Sequence, residues 1–377
     1  MEAVAVGEVP KASLSAWRKD PTRYITGLIY LLIVVVLWTV SNFITAALEA
    51  GSDTYNKPFL ITYLNTSTFT LYLLPSLLKH RKASSRGHYE AISHADIDPH
   101  ACSQSVESQS LAKLTVRETA IVSAWWSIGW FLANFMITLS LAMTSVSSAV
   151  ILSATSGFFT LALGSVFGVE KPTRTNISSV LLSFLGVVLV ARSDSSQTEE
   201  ISVPLPSHPI WGDLAAIISA LCYGGYVVLL KVKLVDEDRA DSMLMLGFAG
   251  LYQTVALIPV FPILHWTGLE RFQLPPTRRA WLLCLANMSI TFASDYLYIL
   301  ALLKTSPMLV TLGLSMTIPL TLAISIVDPA LSVGTVTFLS LIGASMVLGA
   351  FVLLSWEGTK EDEQASPPID TGREGGL

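Results

Sequence analysis

Ten long stretches of this chain are almost free of charge, and no other feature restricts its fold as strongly. They hold two of the 51 charged residues (23 Lys and Arg, 28 Asp and Glu), namely Asp213 and Asp295. A helix needs about 20 residues to cross the hydrocarbon of a bilayer, and the crossing segment excludes charge. The stretches have about that length and do not alternate as β-barrel strands do. They cover residues 25–48, 59–78, 119–142, 146–168, 175–191, 210–230, 243–264, 281–303, 306–327 and 333–355.

Composition supports an all-α membrane protein with ten transmembrane helices. Charged residues make up 14% of the 377-residue chain, whereas a soluble domain has about 25%. This excludes a soluble enzyme, a nucleic-acid-binding protein and a disulfide scaffold. The sequence has no phosphate-binding loop, catalytic triad or zinc-protease motif, so we expect no enzyme activity and no cofactor. We also expect no metal site, because the four histidines between residues 80 and 100 match no ligand spacing.

The basic residues outside the ten stretches predict an orientation. With the N-terminus in the cytoplasm, 18 of the 23 Lys and Arg residues fall on the cytoplasmic side and five on the other. Cytoplasmic loops are enriched in Lys and Arg, so we expect both termini in the cytoplasm. The exceptions are Lys57, Arg192, Arg271, Arg278 and Arg279.

A weak internal repeat divides the chain into two five-helix halves, 24–192 and 209–356. Thr144-Ser145 aligns with Thr305-Ser306, and Gly186 aligns with Gly343. An odd number of spans per half inverts the second copy in the membrane, as in many secondary transporters. Shared membrane composition is the alternative explanation. The other segments are a tail at 1–23, a linker at 193–208, and two parts predicted to be disordered, the loop 79–117 and the tail 357–377.

Several segments of the chain resemble a known family. The quoted motifs are Tyr55–Phe59 with Thr62–Phe69, Trp130–Asn134, Ile151–Leu161, Leu264–Glu270 and Leu314–Leu320. They resemble subfamily F of the nucleotide-sugar-transporter-like solute carriers, within the drug/metabolite transporter superfamily and its EamA-type repeats. The resemblance covers about residues 24–356. It implies two inverted five-helix units and alternating access, and its fungal members include vacuolar-membrane and thiamine-linked proteins.

Asp295 is the sharpest candidate for a functional residue. A carboxylate in the middle of a span costs about 2.5–3.5 kcal/mol on insertion scales, so it should face a polar cavity or a partner. The repeat places Asn134 at the equivalent position. We interpret Asp295 as binding a cationic substrate group or a coupled proton, with a structural hydrogen bond as the alternative. Asp213 lies near a helix start and fits a dipole-complementing role.

Other polar and aromatic residues complete the predicted substrate cavity. Each has a structural alternative, because hydroxyls often bond their own helix backbone and glycine neighbours favour close packing. The candidates are Asn65, Tyr63, Thr155, Ser156, Tyr223, Tyr226, Gln253 and Tyr298. Lys231, Lys233 and Lys304 should reach toward the headgroups. Trp125 and Trp126 fit either an aromatic belt or a stacking site.

The sequence therefore predicts a multi-pass secondary transporter that moves a small organic solute across an endomembrane. Its partners would be this solute, the lipid bilayer and a coupled proton. The spans contain no Lys or Arg, which favours a thiamine-like cation over a nucleotide-sugar-like anion. The resemblance and the sorting-like segment Tyr89–Ile92 favour the vacuolar membrane, with the Golgi second. The alternatives are a non-transporting membrane receptor or assembly factor on a transporter fold, and a membrane enzyme, for which no reactive cluster is visible.

Overall fold

The architecture comes from a computed structural model that describes a subset of the chain. The described residues are 21–49, 55, 57–75, 114–198, 209–235, 239, 241–268, 270–327 and 336–365. Within these ranges all regular secondary structure is helical, which confirms the all-α prediction. Predictions that concern the loop histidines, Tyr89–Ile92 and the outer parts of the tails lie outside the described residues.

The described helices are numbered α1 to α13 in chain order. A 3₁₀ helix, Thr68–Tyr72, continues α2. Their bounds are α1 Pro21–Glu49, α2 Pro58–Ser67, α3 Val116–Met143, α4 Val146–Ser153, α5 Ser156–Val166, α6 Arg174–Thr198, α7 Pro209–Leu234, α8 Ser242–Leu257, α9 Val260–Thr267, α10 Arg278–Lys304, α11 Pro307–Leu314, α12 Thr317–Val327 and α13 Phe338–Ala365.

Eight segments of the described chain are long and apolar enough to cross a membrane, and a ninth is the pair α8 and α9, bent by 42°. These nine match nine of the ten predicted spans. The second predicted span, 59–78, is not among them, because α2 and the 3₁₀ helix are short and residues 76–78 lie outside the described part. A total of ten therefore stays a prediction.

Several helices extend beyond the limits that hydropathy gave. Helix α3 starts at Val116, inside the predicted loop 79–117, because Thr115 and Glu118 form a capping box. Helix α6 runs to Thr198, into the predicted linker, and α13 runs to Ala365, into the predicted tail. Once a long helix is anchored by its apolar part, residues such as Glu, Lys and Gln extend it at little cost.

Two spans are broken at aligned positions. Helices α4 and α5 are separated by Ala154-Thr155, and α11 and α12 by Ser315-Met316. The ends of α4 and α5 all lie the same number of residues before the matching ends of α11 and α12. This number is the offset that relates Thr144 to Thr305 in the predicted repeat. The residues that precede the two pairs, Ser145 and Ser306, each accept a hydrogen bond from the amide three positions later.

Helix pairs from the two halves pack in corresponding ways. Helix α3 packs on α7, α10 packs on α1, and α6 packs on α13. Gly212 at the start of α7 contacts Thr144, to which an added Cβ would lie within 2.8 Å. Gly27 at the start of α1 contacts Thr305 in the same manner, at 2.6 Å. Gly27 and Gly212 thus make matching contacts, and we use the offset between them to align α1 with α7.

We call the end of the bundle where α1 begins and α10 finishes the near end, and the opposite end the far end. Apolar side chains fill the near end, and six of them are at most 2% exposed: Leu230, Leu234, Leu302, Leu303, Met308 and Leu309. On the outer faces of the helices, large apolar residues such as Ile29, Leu185 and Leu285 are about half exposed, as expected for contact with lipid.

Candidate functional site

A cavity of about 500 Å³ lies in the middle of the bundle and extends toward the far end. Its wall combines hydroxyl and amide groups with four aromatic rings. Among the described residues that line it there is one carboxylate and no Lys, Arg or His. The polar lining residues are Ser41, Asn42, Asn134, Ser153, Ser156, Ser219, Thr291, Asp295, Thr311, Ser315 and Thr317, and the rings belong to Trp38, Trp130, Tyr223 and Tyr226.

Five of the ten residues proposed from the sequence line this cavity. They are Asp295, Asn134, Ser156, Tyr223 and Tyr226. The first two stand at positions of α10 and α3 that the predicted repeat aligns. The structure thus brings the proposed pair to one cavity between the two halves.

The Asp295 carboxylate has no hydrogen-bond or ion-pair partner within the described part of the chain. Its counterpart differs, because the Asn134 amide donates to the carbonyl oxygen of Trp130 at 2.8 Å. An ionised carboxylate in a cavity within a membrane calls for a cation, a proton or ordered water. Asp295 is therefore the group in this wall that can hold a positive charge.

Aromatic side chains surround Asp295 on the near-end side of the cavity. Trp38 stacks on Tyr298, with ring centroids 5.8 Å apart and planes 16° apart, and its Nε1 donates to Ser294 Oγ at 3.0 Å. The hydroxyls of Tyr298 and Tyr223 lie 3.3 Å apart. We call the rings of Trp38, Tyr223 and Tyr298 the aromatic floor. Because the faces of such rings attract cations, the aromatic floor and the carboxylate suit the same kind of ligand.

Trp38 and Tyr223 occupy aligned positions of α1 and α7, and both line the cavity. The offset between them is the one that relates Gly27 to Gly212. The sequence reasoning identified Tyr223 and missed Trp38. The glycine offset would have revealed the match, but these glycines are recognisable as partners only after their contacts are known.

Two aligned pairs of side chains, one polar and one aromatic, each join the two halves beside the cavity, and one member of each pair, Ser41 and Tyr226, lines it. In α1 and α10, Ser41 Oγ donates to Asn287 Oδ1 at 3.3 Å. The aligned positions in α7 and α3 are Tyr226 and Trp126, whose rings meet edge to face at 6.1 Å. The polar pair lies toward the far end of the bundle and the aromatic pair toward the near end.

The other five proposed residues lie outside the lining of the cavity. Asn65 donates to Asn287 at 2.9 Å, and the Thr155 hydroxyl donates to its own helix at Leu152. Tyr63 packs edge to face on Phe261. Tyr298 is covered by Trp38, as described above.

Gln253 is the fifth of these residues. It is 4% exposed, and neither polar atom of its amide bonds to a described residue. Its position on the buried face of α8 separates it from the cavity wall.

Charged residues at the ends of the bundle have defined partners. Asp213, near the start of α7, accepts a hydrogen bond from Thr144 Oγ1 at 2.8 Å, a partner that the predicted dipole-complementing role did not include. The snorkelling prediction for Lys231 is wrong, because its ammonium donates to three carbonyl oxygens at the end of α10.

The two neighbouring tryptophans have different surroundings. Trp125 is 63% exposed on the outer face of α3, whereas Trp126 is 2% exposed. Trp125 thus fits the aromatic belt, and Trp126 packs in the core.

Comparison with known proteins identifies relatives over nearly the whole chain. An uncharacterized transporter of Schizosaccharomyces pombe is 37% identical, covering 89% of this chain and 96% of the relative. An uncharacterized vacuolar membrane protein of Saccharomyces cerevisiae is 35% identical, covering 91% and 94%. The thiamine-repressible mitochondrial transport protein of the same yeast is 31% identical, covering 93% and 96%. No family model matches the chain.

A solved crystal structure has the same fold. It is 14% identical, gives a TM-score of 0.62, and covers 90% of this chain and 98% of its own. The bovine solute carrier family 35 member F5 is 29% identical to this chain, covering 80% of it and 71% of that protein. On these relationships, the chain belongs to the solute-carrier-like drug/metabolite transporter family of multi-pass membrane proteins.

Proposed function

We propose that this membrane transporter moves a small organic cation by alternating access, with Asp295 as the centre of its binding site. The observation that carries the proposal is the unpartnered Asp295 carboxylate, among the described residues, in the wall of a cavity between the two halves. A buried charge without a protein partner is costly, and a cationic solute or a proton would remove that cost.

Alternating access in this family of architectures requires two halves that rock about a central site. The aligned breaks at Ala154 and Ser315 support an inverted repeat, as do the equivalent contacts of Gly27 and Gly212. The cavity reaches toward the far end while the near end is packed, which fits one of the two access states. Inverted repeats of this kind hold the substrate near the membrane midplane.

The chemistry of the lining favours a cationic, thiamine-like solute over a nucleotide sugar. A nucleotide sugar carries phosphate charges that basic side chains would neutralise, and the described lining residues include none. The aromatic floor instead offers ring faces to a cation or to a planar heterocycle. The coupled ion in this proposal is a proton, exchanged at Asp295.

The vacuolar membrane is the proposed location. A relative 35% identical is named a vacuolar membrane protein, and another, 31% identical, is named a mitochondrial transport protein. Microscopy of the tagged protein must therefore distinguish the vacuolar membrane from the mitochondrion and the Golgi. The excess of basic residues supports an orientation with both termini, and hence the near end, in the cytoplasm.

Uptake of radiolabelled thiamine and of a labelled nucleotide sugar into proteoliposomes tests the proposal. The wild type should take up the cation at a rate that changes between about pH 5 and about pH 8, and Asp295→Asn should lose this dependence. Asp213→Asn is the matched control, because Asp213 bonds Thr144 outside the cavity lining. Cation uptake that is independent of pH in the wild type would exclude proton coupling. If cells that carry the double variant Asp295→Asn with Asn134→Leu keep the wild-type phenotype, the receptor alternative is favoured.

A further inference from the structure

The turn that joins α10 to α11 at the near end is held by a lysine from α7. Lys231 Nζ donates to the carbonyl oxygens of Leu302, Leu303 and Thr305 at 3.0, 2.8 and 2.6 Å. These carbonyls belong to the last turn of α10 and to Thr305, the residue that caps it, where the helix dipole is negative. One ammonium thus satisfies three backbone acceptors that the helix itself leaves open.

A glutamate from the first half holds the other side of the same turn. Glu170, in the connection between α5 and α6, accepts a hydrogen bond from the amide of Met308 at 2.8 Å. It is 4% exposed, and an added Cβ on Gly164 would lie 2.6 Å from its Cγ. Met308 is in the first turn of α11, where the dipole is positive, so the carboxylate and the helix end attract each other.

We call this arrangement the near-end clamp: Lys231 and Glu170 bonded to residues 302–308. The two side chains come from different segments and meet the ends of two consecutive helices of the second half. Glu170 therefore ties the first half to the second across the end of the bundle at which the cavity is closed. A buried charge holds such a geometry tightly because leaving it unpaired is costly.

The Lys231 half of the clamp has no lysine counterpart in the repeat. By the offset that relates Gly27 to Gly212, the position of α1 aligned with Lys231 is Ala46. At the far end, the aligned turn at Thr144 is instead held by the neutral hydroxyl of that residue donating to Asp213. The corresponding turns at the two ends of the bundle are thus held by different chemistry.

We propose that Lys231 and Glu170 are the residues that close the near-end gate, and that both sets of bonds break when the cavity opens to that side. This inference rests on the alternating access proposed above, but it adds residues that lie outside the cavity wall. Lys231 and Glu170 act through the position of α10 and α11 and do not touch the solute. Weakening the clamp should shift the population of states toward near-end access.

Labelling of a single cysteine from each side of the membrane tests the gate. The reporter is Thr311→Cys, because Thr311 lines the cavity beneath the clamp, in a chain whose Cys102, Cys222 and Cys284 are replaced by Ser. A membrane-impermeant maleimide is applied to vesicles of both orientations. With the clamp intact, the reporter should react mainly from the far side. Lys231→Met should raise near-side labelling about tenfold, a shift of about 1.4 kcal/mol in the equilibrium between the two states.

Three variants make the result specific to the clamp. Lys233→Met removes a nearby charge on α7 and should leave near-side labelling unchanged, whereas Lys231→Arg keeps the charge and should restore most of the closure. Glu170→Gln keeps an acceptor oxygen without the charge, so it should raise near-side labelling less than Lys231→Met does. Far-side labelling and the thermal midpoint of each variant show that it is folded.

The outcomes separate this proposal from the proposed function. The gate assignment is wrong if the reporter in Lys231→Met and Glu170→Gln reacts from the near side no faster than in Lys233→Met. Alternating access still stands in that case if thiamine shifts the labelling of the reporter in the chain with the intact clamp. If no added solute changes the sidedness and the clamp-intact reporter reacts equally from both sides, alternating access itself fails.

Discussion

Gly186 on α6 and Gly343 on α13 face each other with no room for a side chain on either. An added Cβ on Gly186 would lie 2.6 Å from the carbonyl oxygen of Gly343, and one on Gly343 would lie 2.5 Å from that of Gly186. These two glycines are a pair that the internal repeat aligns. Equivalent residues that face each other are expected at a pseudo-two-fold axis, so the contact supports an axis that passes between α6 and α13.

Gly186→Ala should therefore destabilise the protein. The new methyl group meets a backbone atom, which cannot move aside as a flexible side chain can, and overpacking of this kind costs about 1–3 kcal/mol. Helix propensity acts in the opposite direction by about 1 kcal/mol, so the net loss should be modest but measurable. Thermal unfolding in detergent checks it. Gly349→Ala on α13 is the control, since its Cβ would meet only Leu182 at 3.9 Å, and a midpoint for Gly186→Ala at or above that of Gly349→Ala would contradict the close contact.

Trp38→Leu should weaken the binding of a cation that carries an aromatic ring. Trp38 lines the cavity and stacks on Tyr298, and a cation–π contact contributes about 1 kcal/mol, or about a fivefold change in Kd. Calorimetric titration with benzyltrimethylammonium measures this, with tetramethylammonium as the probe that lacks a ring. Trp125→Leu should leave both affinities unchanged, because Trp125 is 63% exposed on the outer face. Equal losses in the two variants would remove Trp38 from the binding site.

Asn287→Leu should destabilise the protein by leaving several polar groups without partners. Asn287 accepts from Asn65 and Ser41 and donates to Thr45 at 3.0 Å. A buried polar group that loses its partner costs about 1–3 kcal/mol. The free energy of unfolding in detergent is the measurement. Ser289→Ala removes an exposed hydroxyl from the same helix and should have little effect, so equal stabilities of the two variants would mean that the network contributes nothing.

Hydropathy and spacing were enough to predict the features that are set by position along the chain: where each span lies, and at which level of its helix a residue stands. The nine candidate spans of the described chain follow from the exclusion of charge, which acts on each segment independently of its neighbours. The pairing of Asp295 with Asn134 was predicted from the weak repeat, because aligned positions in two copies of one unit would reach equivalent places in the fold. Both residues line one cavity in the structure.

The positions of Asn65, Tyr63 and Gln253 depend on how each helix is rotated about its axis. In a membrane helix the apolar face offers little guidance, since lipid and protein interior are both apolar. The structure turns Asn65 toward Asn287 and buries Gln253 at 4% exposure, away from the cavity wall. Trp38 was missed for the same reason, because an aromatic residue in an apolar run looks alike whether it faces lipid, core or cavity.

The sequence by itself determined the class of the protein, nearly all of its spans and the central carboxylate, because the cost of placing charge in hydrocarbon is a local property of each segment. Only the tertiary structure decided which side chains share the cavity, and that Lys231 and Glu170 hold the turn between α10 and α11. Those features arise from distances between helices far apart in the chain. Contacts of that kind depend on the relative placement of whole helices, and local composition does not encode it.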